Sequence, residues 1–305
     1  MKVSVLIGSR DRPDTLYRSV DSVLAQEYRP LELLILDDNS NRHRLAELVR
    51  ARFSDKRVHC FRTERSLGVA GGRNFLMRQA GGEIFCVLDD DAYFADDNCI
   101  SRFVQAFQAY PQVGILASKI VDYGQDQESL KVPFTQRARQ KHPALTEEIQ
   151  LVSYYLGGGH AVHRRVIEQC GPYRNDLMFG EEELDLSYRA IAAGFEILYL
   201  PDVVVHHRPE PSVMNQDGKQ RHLELYYHVR NRFFLAYKYL PWRYMPVYLI
   251  IWLGQYGLTA VKQSTLDQLF RGLVAGVKVT RSVNRSPLGA EAVQYLKAHY
   301  GRLWY

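Results

Sequence analysis

Cysteine is scarce in this sequence and never closely paired. The 305 residues include four cysteines, and no two of them have the CxxC spacing of a structural zinc site. A zinc module and a disulfide scaffold are therefore not expected, and this cysteine usage suits a reducing compartment. The amino-terminal segment also lacks the apolar stretch of a secretory leader. These features predict a cytoplasmic protein.

Long apolar runs are also missing from the first 120 residues, where short apolar runs alternate with segments of helical spacing. Val3–Ile7, Leu31–Leu36 and Ile84–Leu88 have the length and composition of buried strands. Asp14–Gln26 and Ile100–Tyr110 carry apolar residues at helical intervals. This alternation predicts an α/β fold with a mostly parallel sheet and helices on both faces.

Two later segments lack this regularity. Gly68–Ala80 begins with glycines and is predicted to be a loop followed by a helix. Gln125–Ile149 is polar and has no clear period, which predicts a mobile insertion or loop.

Charge of one sign does not dominate the chain, but its two parts differ. Residues 1–211 contain 26 Lys and Arg against 30 Asp and Glu, whereas residues 212–305 contain 13 against four. The net charge of +5 therefore hides a change of sign near residue 211. We expect an α/β domain over 1–211 and a basic, aromatic-rich helical region over 212–305, with different partners.

Acidic clusters follow two of the predicted strands, where ligands of parallel sheets are expected. In the Asp89–Asp91 cluster, Asp89 and Asp91 can face the same way because side chains alternate along extended backbone. Their oxygens suit Mg²⁺ or Mn²⁺. The alternative is a solvated acidic loop. The Asp37–Ser40 cluster also has two interpretations: an Asx-capped turn, or a nucleotide site in which Asp38 accepts from a base N–H.

Two further segments contain candidate binding or catalytic residues. Gly68–Asn74 matches neither a Walker loop nor GxGxxG, but its glycines allow close approach of a phosphate or nucleoside, and Arg73 supplies a cation. The Glu181–Asp185 segment opens a helix and is either ordinary first-turn chemistry or the location of a general base.

The order of these segments resembles the family 2 glycosyltransferases, which have the GT-A fold, a Rossmann-like sheet between helices. The resemblance spans Val3–His207, about two-thirds of the chain. The motifs that carry it are SVLIGSRDRP, LLILDDNSN, LGVAGGRN, FCVLDDDAYF, GGGHAVHRRVIEQCG, FGEEELDLSYR and LPDVVVHH. The later motifs and YYHVRNRFF are similar to the bacterial rhamnosyltransferase-like branch.

The resemblance implies roles for the catalytic and metal-binding residues. Asp89 and Asp91 match the family's DxD motif, whose second carboxylate binds the metal and whose first helps to hold the sugar nucleotide. His207 matches a histidine that often completes the metal site. Glu182 and Glu183 match the family's ED pair, whose second member is the catalytic base.

The resemblance also implies a set of nucleotide-sugar contacts. Asp38 would contact the nucleobase with Arg73 nearby, and Gly158 would lie in the loop around the donor sugar. Ser9 and Asp90 are included among the predicted nucleotide-binding residues.

The sequence departs from the family pattern at two places. Gly8–Arg12 stands where the family usually has Pro, Thr or Ser, Tyr, Asn and Arg. Glu183 stands where Asp is commoner, and its side chain is one methylene longer.

The resemblance implies an inverting hexosyl- or rhamnosyltransferase of bacterial cell-surface polysaccharide synthesis. Its donor would be a UDP-, dTDP- or GDP-sugar with Mn²⁺ or Mg²⁺, and its acceptor a glycan or lipid-linked hydroxyl, with no nucleic acid. A nucleotidyltransferase and a non-catalytic nucleotide-sugar sensor or membrane scaffold remain as alternatives.

The basic region contains one uncharged stretch. Tyr244–Val261 has 18 residues without charge, the lower limit of a membrane span, but Pro246 and two glycines interrupt it. Its aromatic residues and basic flanks are typical of a segment that lies on an anionic leaflet. We expect a peripheral protein on the inner face of the cell membrane. A buried helical or homodimer surface and a true span are the alternatives.

Overall fold

The computed structural model describes residues 1–124, 128–209, 218–301 and 303. The strands are β1 Val3–Ser9, β2 Leu31–Asp37, β3 Val58–Arg62, β4 Ile84–Leu88, β5 Ala92–Phe94, β6 Val113–Tyr123, β7 Glu128–Lys131, β8 Gln150–Val152, β9 Gly159–His163 and β10 Glu196–His207. The helices are α1 Pro13–Leu24, α2 Leu45–Arg52, α3 Gly68–Gln79, α4 Cys99–Ala109, α5 Gln136–Lys141, α6 Arg164–Cys170, α7 Glu182–Ala192, α8 Gly218–Tyr239, α9 Met245–Gln263, α10 Leu266–Thr280 and α11 Ala290–Ala298. Two 3-10 helices cover Pro143–Thr146 and Asn175–Leu177.

These strands form one sheet in the order β3-β2-β1-β4-β9-β6-β10-β5, with β7 beside β6 and β8 beside β10. Strands β3, β2, β1, β4, β6 and β10 run in one direction, whereas β9 is antiparallel to both of its neighbours. The predicted, mostly parallel sheet is confirmed. Because the parallel strands end at one edge, the acidic segments after β2 and β4 lie along that edge.

Helices cover both faces of the sheet, as predicted. On one face, α1, α2 and α4 bury residues such as Leu16, Val49 and Phe103 against the sheet. On the other face, α3, α6 and α7 bury residues such as Leu76 and Leu184. The strands are apolar on both sides because neither face meets water.

The prediction of a mobile insertion over Gln125–Ile149 is wrong for the part that the structure describes. Strand β7 extends the sheet beyond β6, and α5 and a 3-10 helix follow it. Val132, Phe134 and Leu145 are buried in the main core. These buried residues lie between short elements or within one of them, so they produce no periodic pattern in the sequence.

The glycine-rich Gly68–Asn74 segment is helical from its first residue, not a loop that leads into a helix. Gly72 packs closely against β2: a Cβ built on it would lie 3.2 Å from the side chain of Leu36. The glycines therefore let α3 approach the sheet, which brings Arg73 towards the strand ends.

The carboxyl-terminal helices divide into two groups. Helices α8, α9 and α10 pack on one another. Helix α11 returns to the sheet, where the Tyr295 hydroxyl accepts from the Ile197 N–H at 3.0 Å and donates to the Val152 carbonyl at 3.1 Å. The predicted domain boundary at residue 211 lies outside the described residues.

The aromatic side of α9 faces the protein. Tyr244 and Tyr248 are buried, and the guanidinium of Arg232 lies over the Trp252 ring, 4.0 Å from its centroid. The prediction that these aromatics form an outward, interfacial face is therefore wrong. Among the described residues, no helix has the length and apolar character to cross a membrane.

Candidate active site

Two strand ends bring together three candidate metal ligands. Asp89 and Asp91 follow β4, and His207 ends β10. Strand β5 starts directly after Asp91 and pairs antiparallel with β10, so that His207 lies opposite Ala92. One ligand atom from each of the three side chains lies within 4.8 Å of the others. The predicted grouping of Asp89 and Asp91, with His207 beside them, is present.

This donor set fits a divalent cation. Two carboxylates and one imidazole suit Mn²⁺, whereas Mg²⁺ prefers oxygen ligands. The second ring nitrogen, Nδ1, of His207 is hydrogen-bonded to Asp122, which leaves Nε2 directed towards Asp91 at 3.2 Å. Such an outer carboxylate orients a ligating histidine.

The charged groups of this cluster shift one another's pKa values. Burial alone would lower the pKa of His207, but the carboxylates of Asp91 and Asp122 raise it to about 9. For Asp91, burial opposes ionisation, yet the bond from His207 and the charge of Arg12 lower its pKa. A bound cation would take the place of the proton on Nε2 of His207, beside Asp91, and leave Nδ1 bonded to Asp122.

Asp90 points away from the metal cluster. Its carboxylate accepts from the Ser9 hydroxyl at 2.6 Å and from Arg12 at 3.1 Å. Burial raises the pKa of Asp90 to about 7, although Arg12 opposes that shift. Ser9 and Asp90 therefore tie the end of β1 to the end of β4.

Asp38 lies where the chain enters α3. Its carboxylate accepts from the Ser66 hydroxyl at 2.6 Å and from the N–H groups of Leu67 at 2.7 Å and Gly68 at 3.1 Å. These bonds fix the loop after β3, and a nucleobase contact at Asp38 would have to share the same oxygens.

Arg73 connects the metal cluster with the candidate base. The Arg73 side chain is buried, and its guanidinium lies 2.6 Å from Glu183, 3.6 Å from Glu182 and 3.4 Å from Asp89. The predicted catalytic pair and the predicted metal ligands thus share one arginine.

Glu182 differs from Glu183 in its surroundings. Burial, and after it the charge of Glu183, raise the pKa of Glu182 to about 8, although Arg73 opposes the shift. We therefore expect Glu182 to remain protonated near neutral pH, while Glu183 makes the close contact with Arg73.

A glycine loop lies between the cluster and the base. Leu88 of β4 pairs with Gly159 of β9, which places Gly158 beside Asp89. A Cβ on Gly158 would lie 3.7 Å from the Asp89 carboxylate, and one on Gly157 would lie 2.5 Å from a Glu183 oxygen. A side chain at position 157 would therefore displace Glu183, whereas one at position 158 would make only ordinary van der Waals contacts.

The cleft above this floor has a volume of about 610 Å³. It is lined by Asp89, Ile120, Leu130, Lys131, Val132, Arg139, Leu156, Gly157, Gly158, Phe179, His207 and His228. The misassigned insertion contributes four of these residues, from Leu130 to Arg139.

Sequence reasoning missed several residues that hold the site in place. Asp122 lies beside His207 because β6 and β10 pair in register, and nothing in the sequence reveals that pairing. Tyr173 lies under Arg73, with its ring centroid 5.5 Å from the guanidinium, and hydrogen-bonds to the buried His160 at 2.8 Å. For Arg12, the only indication in the sequence was its place in the motif SVLIGSRDRP.

Helix α8 holds the loop that leads into α7. Met178, Gly180 and Glu181 all have positive φ, between 63° and 72°. The amide nitrogen of Asn231 lies 2.8 to 3.0 Å from the carbonyl oxygens of residues 177, 179 and 180. Arg232 forms an ion pair with Glu181 at 2.8 Å. The strained loop is therefore fixed from the HVRNR segment of α8.

The sheet order, the carboxylate–histidine cluster and the acidic helix start define a GT-A glycosyltransferase fold. Residues 4–171 match the glycosyl transferase family 2 model, more than half of the chain, and the chain belongs to that family. Membership in the rhamnosyltransferase-like branch stays a prediction.

Relatives of known sequence support this assignment. The chain is 30% identical over 178 residues to an uncharacterized protein of Haemophilus influenzae, which covers 55% of this chain and 91% of that one. It is 33% identical over 92 residues to WfaP of Escherichia coli, named as a UDP-Glc:alpha-D-GlcNAc-diphosphoundecaprenol beta-1,3-glucosyltransferase. That match covers 30% of this chain and only 36% of WfaP.

Solved structures show the same fold. GalNAc-T7 with UDP, GalNAc and Mn²⁺ superposes with a TM-score of 0.63 at 21% identity, over 82% of this chain and 49% of that one. The mannosyltransferase PcManGT of Pyrobaculum calidifontis, with GDP-Man and Mn²⁺, gives 0.56 at 17% identity, over 97% and 74%.

Proposed function

We propose that this protein transfers a sugar from a nucleoside-diphosphate sugar to an acceptor hydroxyl with inversion at the anomeric carbon. The observation that carries the proposal is the proximity of two groups: the Asp89–Asp91–His207 cluster lies beside Gly158, Glu183 lies beside Gly157, and Arg73 contacts both Asp89 and Glu183. A leaving-group site and a proton acceptor are thus held close together, as displacement requires.

Asp89, Asp91 and His207 would hold the divalent cation. When bound, such a cation stabilises the charge of the departing diphosphate as a Lewis acid. Mn²⁺ is the better candidate because one ligand is an imidazole, and GalNAc-T7 and PcManGT were both solved with Mn²⁺.

Glu183 would act as the general base. Its carboxylate takes the proton of the acceptor hydroxyl, whose oxygen forms a bond to the anomeric carbon while the bond to the diphosphate oxygen breaks. Arg73 donates a hydrogen bond to the Glu183 carboxylate and holds it beside Gly157. Attack opposite the leaving group inverts the configuration.

We place the activity in bacterial cell-envelope polysaccharide synthesis, with a glycan or lipid-linked acceptor and a position at the inner face of the cell membrane. Support comes from WfaP and WfgD of Escherichia coli, whose names specify a diphosphoundecaprenol acceptor. The donor base and sugar are proposed only as a class: GalNAc-T7 holds UDP, and PcManGT holds GDP-Man.

Product analysis tests the reaction class. The purified protein is incubated with UDP-, dTDP- and GDP-sugars, Mn²⁺ and membrane lipid extract, and the nucleotide products are separated by chromatography. The proposal predicts release of nucleoside diphosphate with one donor family and none from Glu183→Gln. Release of pyrophosphate would assign a nucleotidyltransferase, and binding of donor without any turnover would assign a sensor.

A further inference from the structure

Helices α9 and α10 present a continuous apolar surface to solvent. Ile250 and Phe270 are 71% and 69% exposed, and neighbouring aliphatic residues are exposed with them. We call this surface the outer face; its members are Val247, Ile250, Leu258 and Val261 of α9 and Leu266, Phe270, Val274 and Val277 of α10. Exposed apolar surface of this extent marks a contact site rather than ordinary surface.

The outer face follows from how the two helices pack inward. In α9, Tyr248, Trp252 and Tyr256 recur at four-residue intervals on the protein side, about 200° around the helix from Ile250. In α10, the inward positions are glycines: a Cβ on Gly272 would lie 2.8 Å from a backbone oxygen of α8. Close packing on one side leaves the large aliphatic residues on the other.

Basic residues predominate around the outer face. Residues 244–289 contain five Lys and Arg and only one acidic residue, Asp267. Arg271 and Lys278 are exposed and directly follow Phe270 and Val277, so they lie along the edge of the apolar stripe. A symmetric contact between two copies would place like charges against each other, whereas an anionic leaflet would neutralise them.

The outer face lies one helix away from the cleft. His228 lines the cleft, and its ring stacks on Tyr256 of α9, with the centroids 6.5 Å apart. Ile250 and Leu258 occupy the opposite side of the same helix. A helix is about 10 Å across, so a surface that touches the outer face comes close to the cleft.

We infer that the outer face of α9 and α10 docks on an anionic phospholipid surface, with its aliphatic residues in the headgroup region and Arg271 and Lys278 against the lipid phosphates. The purpose of the docking, which is to hold the cleft beside a lipid-linked acceptor, rests on the proposed function. The docking itself needs no catalysis.

Vesicle flotation of the full chain tests the inference. Two kinds of vesicle are used: phosphatidylcholine alone, and phosphatidylcholine with about 30% phosphatidylglycerol, which supplies an anionic surface. Each is mixed with wild type and with Ile250→Glu/Phe270→Glu. We expect wild type to float with the anionic vesicles and the double variant to lose at least tenfold in binding. Ile149→Glu, half-exposed in another part of the chain, is the matched control and should bind like wild type.

A charge variant separates the two parts of the contact. Arg271→Ser/Lys278→Ser should weaken binding to anionic vesicles by about 25-fold, roughly fivefold for each basic residue near the surface, and added salt should weaken wild-type binding in the same direction. Unchanged binding of either double variant would overturn the inference, as would failure of wild type to bind any vesicle. A dimer in light scattering that Ile250→Glu/Phe270→Glu converts to monomer would assign the face to a second copy instead.

A nucleotide-binding control keeps this test independent of the proposed function. Thermal stabilisation by UDP, dTDP or GDP with Mn²⁺ should be equal in wild type and Ile250→Glu/Phe270→Glu, which also shows that the variant is folded. Flotation without nucleotide stabilisation would reject the proposed function and leave the docking surface standing.

Discussion

At the scale of single residues, the site depends on two adjacent carboxylates that share one arginine. Glu183 pairs closely with Arg73, whereas Glu182 is buried with a pKa raised to about 8. In the unfolded chain Glu182 would titrate near its ordinary pKa of 4.5. Between these two values the folded protein keeps a proton that the unfolded chain loses, so this group makes stability fall as pH rises through that window.

Glu182→Gln should remove that pH dependence. A neutral amide has no proton to lose, so the variant should match wild type near pH 5 and exceed its melting temperature by about 3 °C or more at pH 8. Melting curves from pH 5 to 8.5 measure the difference. The exposed Glu64→Gln is the control and should follow wild type throughout. A constant offset at every pH would show that Glu182 is ionised in the folded protein.

Gly157 is a second residue whose role can be isolated. Gly157→Ala would bring a Cβ to 2.5 Å from a Glu183 oxygen, and the flexible end of Glu183 would have to move. We expect turnover to fall by roughly 10- to 100-fold, since small misplacements of a reacting group are costly, while the melting temperature changes little. Gly254→Ala, with nothing near its Cβ, is the matched control. Full activity of Gly157→Ala would place Glu183 away from the reacting atoms.

At the scale of elements, α8 determines the position of the catalytic helix. Asn231 contacts three carbonyls of the loop that contains Met178, Gly180 and Glu181, all of positive φ. That loop ends where α7 begins with Glu182. Without the amide, the carbonyls lose their donor and the loop can relax to ordinary backbone angles.

Asn231→Ala should therefore cost about 1–3 kcal/mol in the free energy of unfolding. It should also lower kcat by more than it weakens donor binding, because the metal cluster belongs to other elements. Chemical denaturation, donor titration and steady-state kinetics give the three numbers, with the exposed Asn284→Ala as control. Equal losses in donor affinity and kcat would mean that the whole site, not the base loop, has shifted.

The sequence was most informative where local pattern and site coincide. The strand–helix alternation predicted the sheet, and period-two alternation after β4 predicted that Asp89 and Asp91 face one site. Both features depend on neighbours in sequence. The antiparallel insertion of β9 was not predictable, because a five-residue strand such as Gly159–His163 has no directional signal.

The remaining features depend on contacts that sequence spacing does not encode. Asp122 supports His207 only through the register of β6 on β10. The aromatic residues of α9 suggested an interfacial face, but Arg232 and the core hold Tyr248 and Trp252 inward, so the outer face is aliphatic. Amphipathic helices of this kind have two sides that both look apolar in sequence, and only packing distinguishes them.

At the scale of the whole molecule, the metal cluster and the proposed base are separable parts of one site. The Asp89–Asp91–His207 cluster is formed by the ends of β4 and β10, whereas Glu183 arrives on α7. A substitution at one part should therefore leave the other intact. On the proposed mechanism, the donor would need the cluster in order to bind, and the acceptor would need Glu183 in order to react.

Calorimetric titration of nucleoside diphosphates into wild type, Asp91→Asn and Glu183→Gln, with and without Mn²⁺, tests this claim most directly. Wild type and Glu183→Gln should bind one of the nucleotides, and only when Mn²⁺ is present. Their affinities should agree within about threefold, a difference of about 0.65 kcal/mol. Asp91→Asn should lose the metal-dependent part of the binding. Metal-dependent affinity that survives in Asp91→Asn, or collapses in Glu183→Gln, would contradict the account.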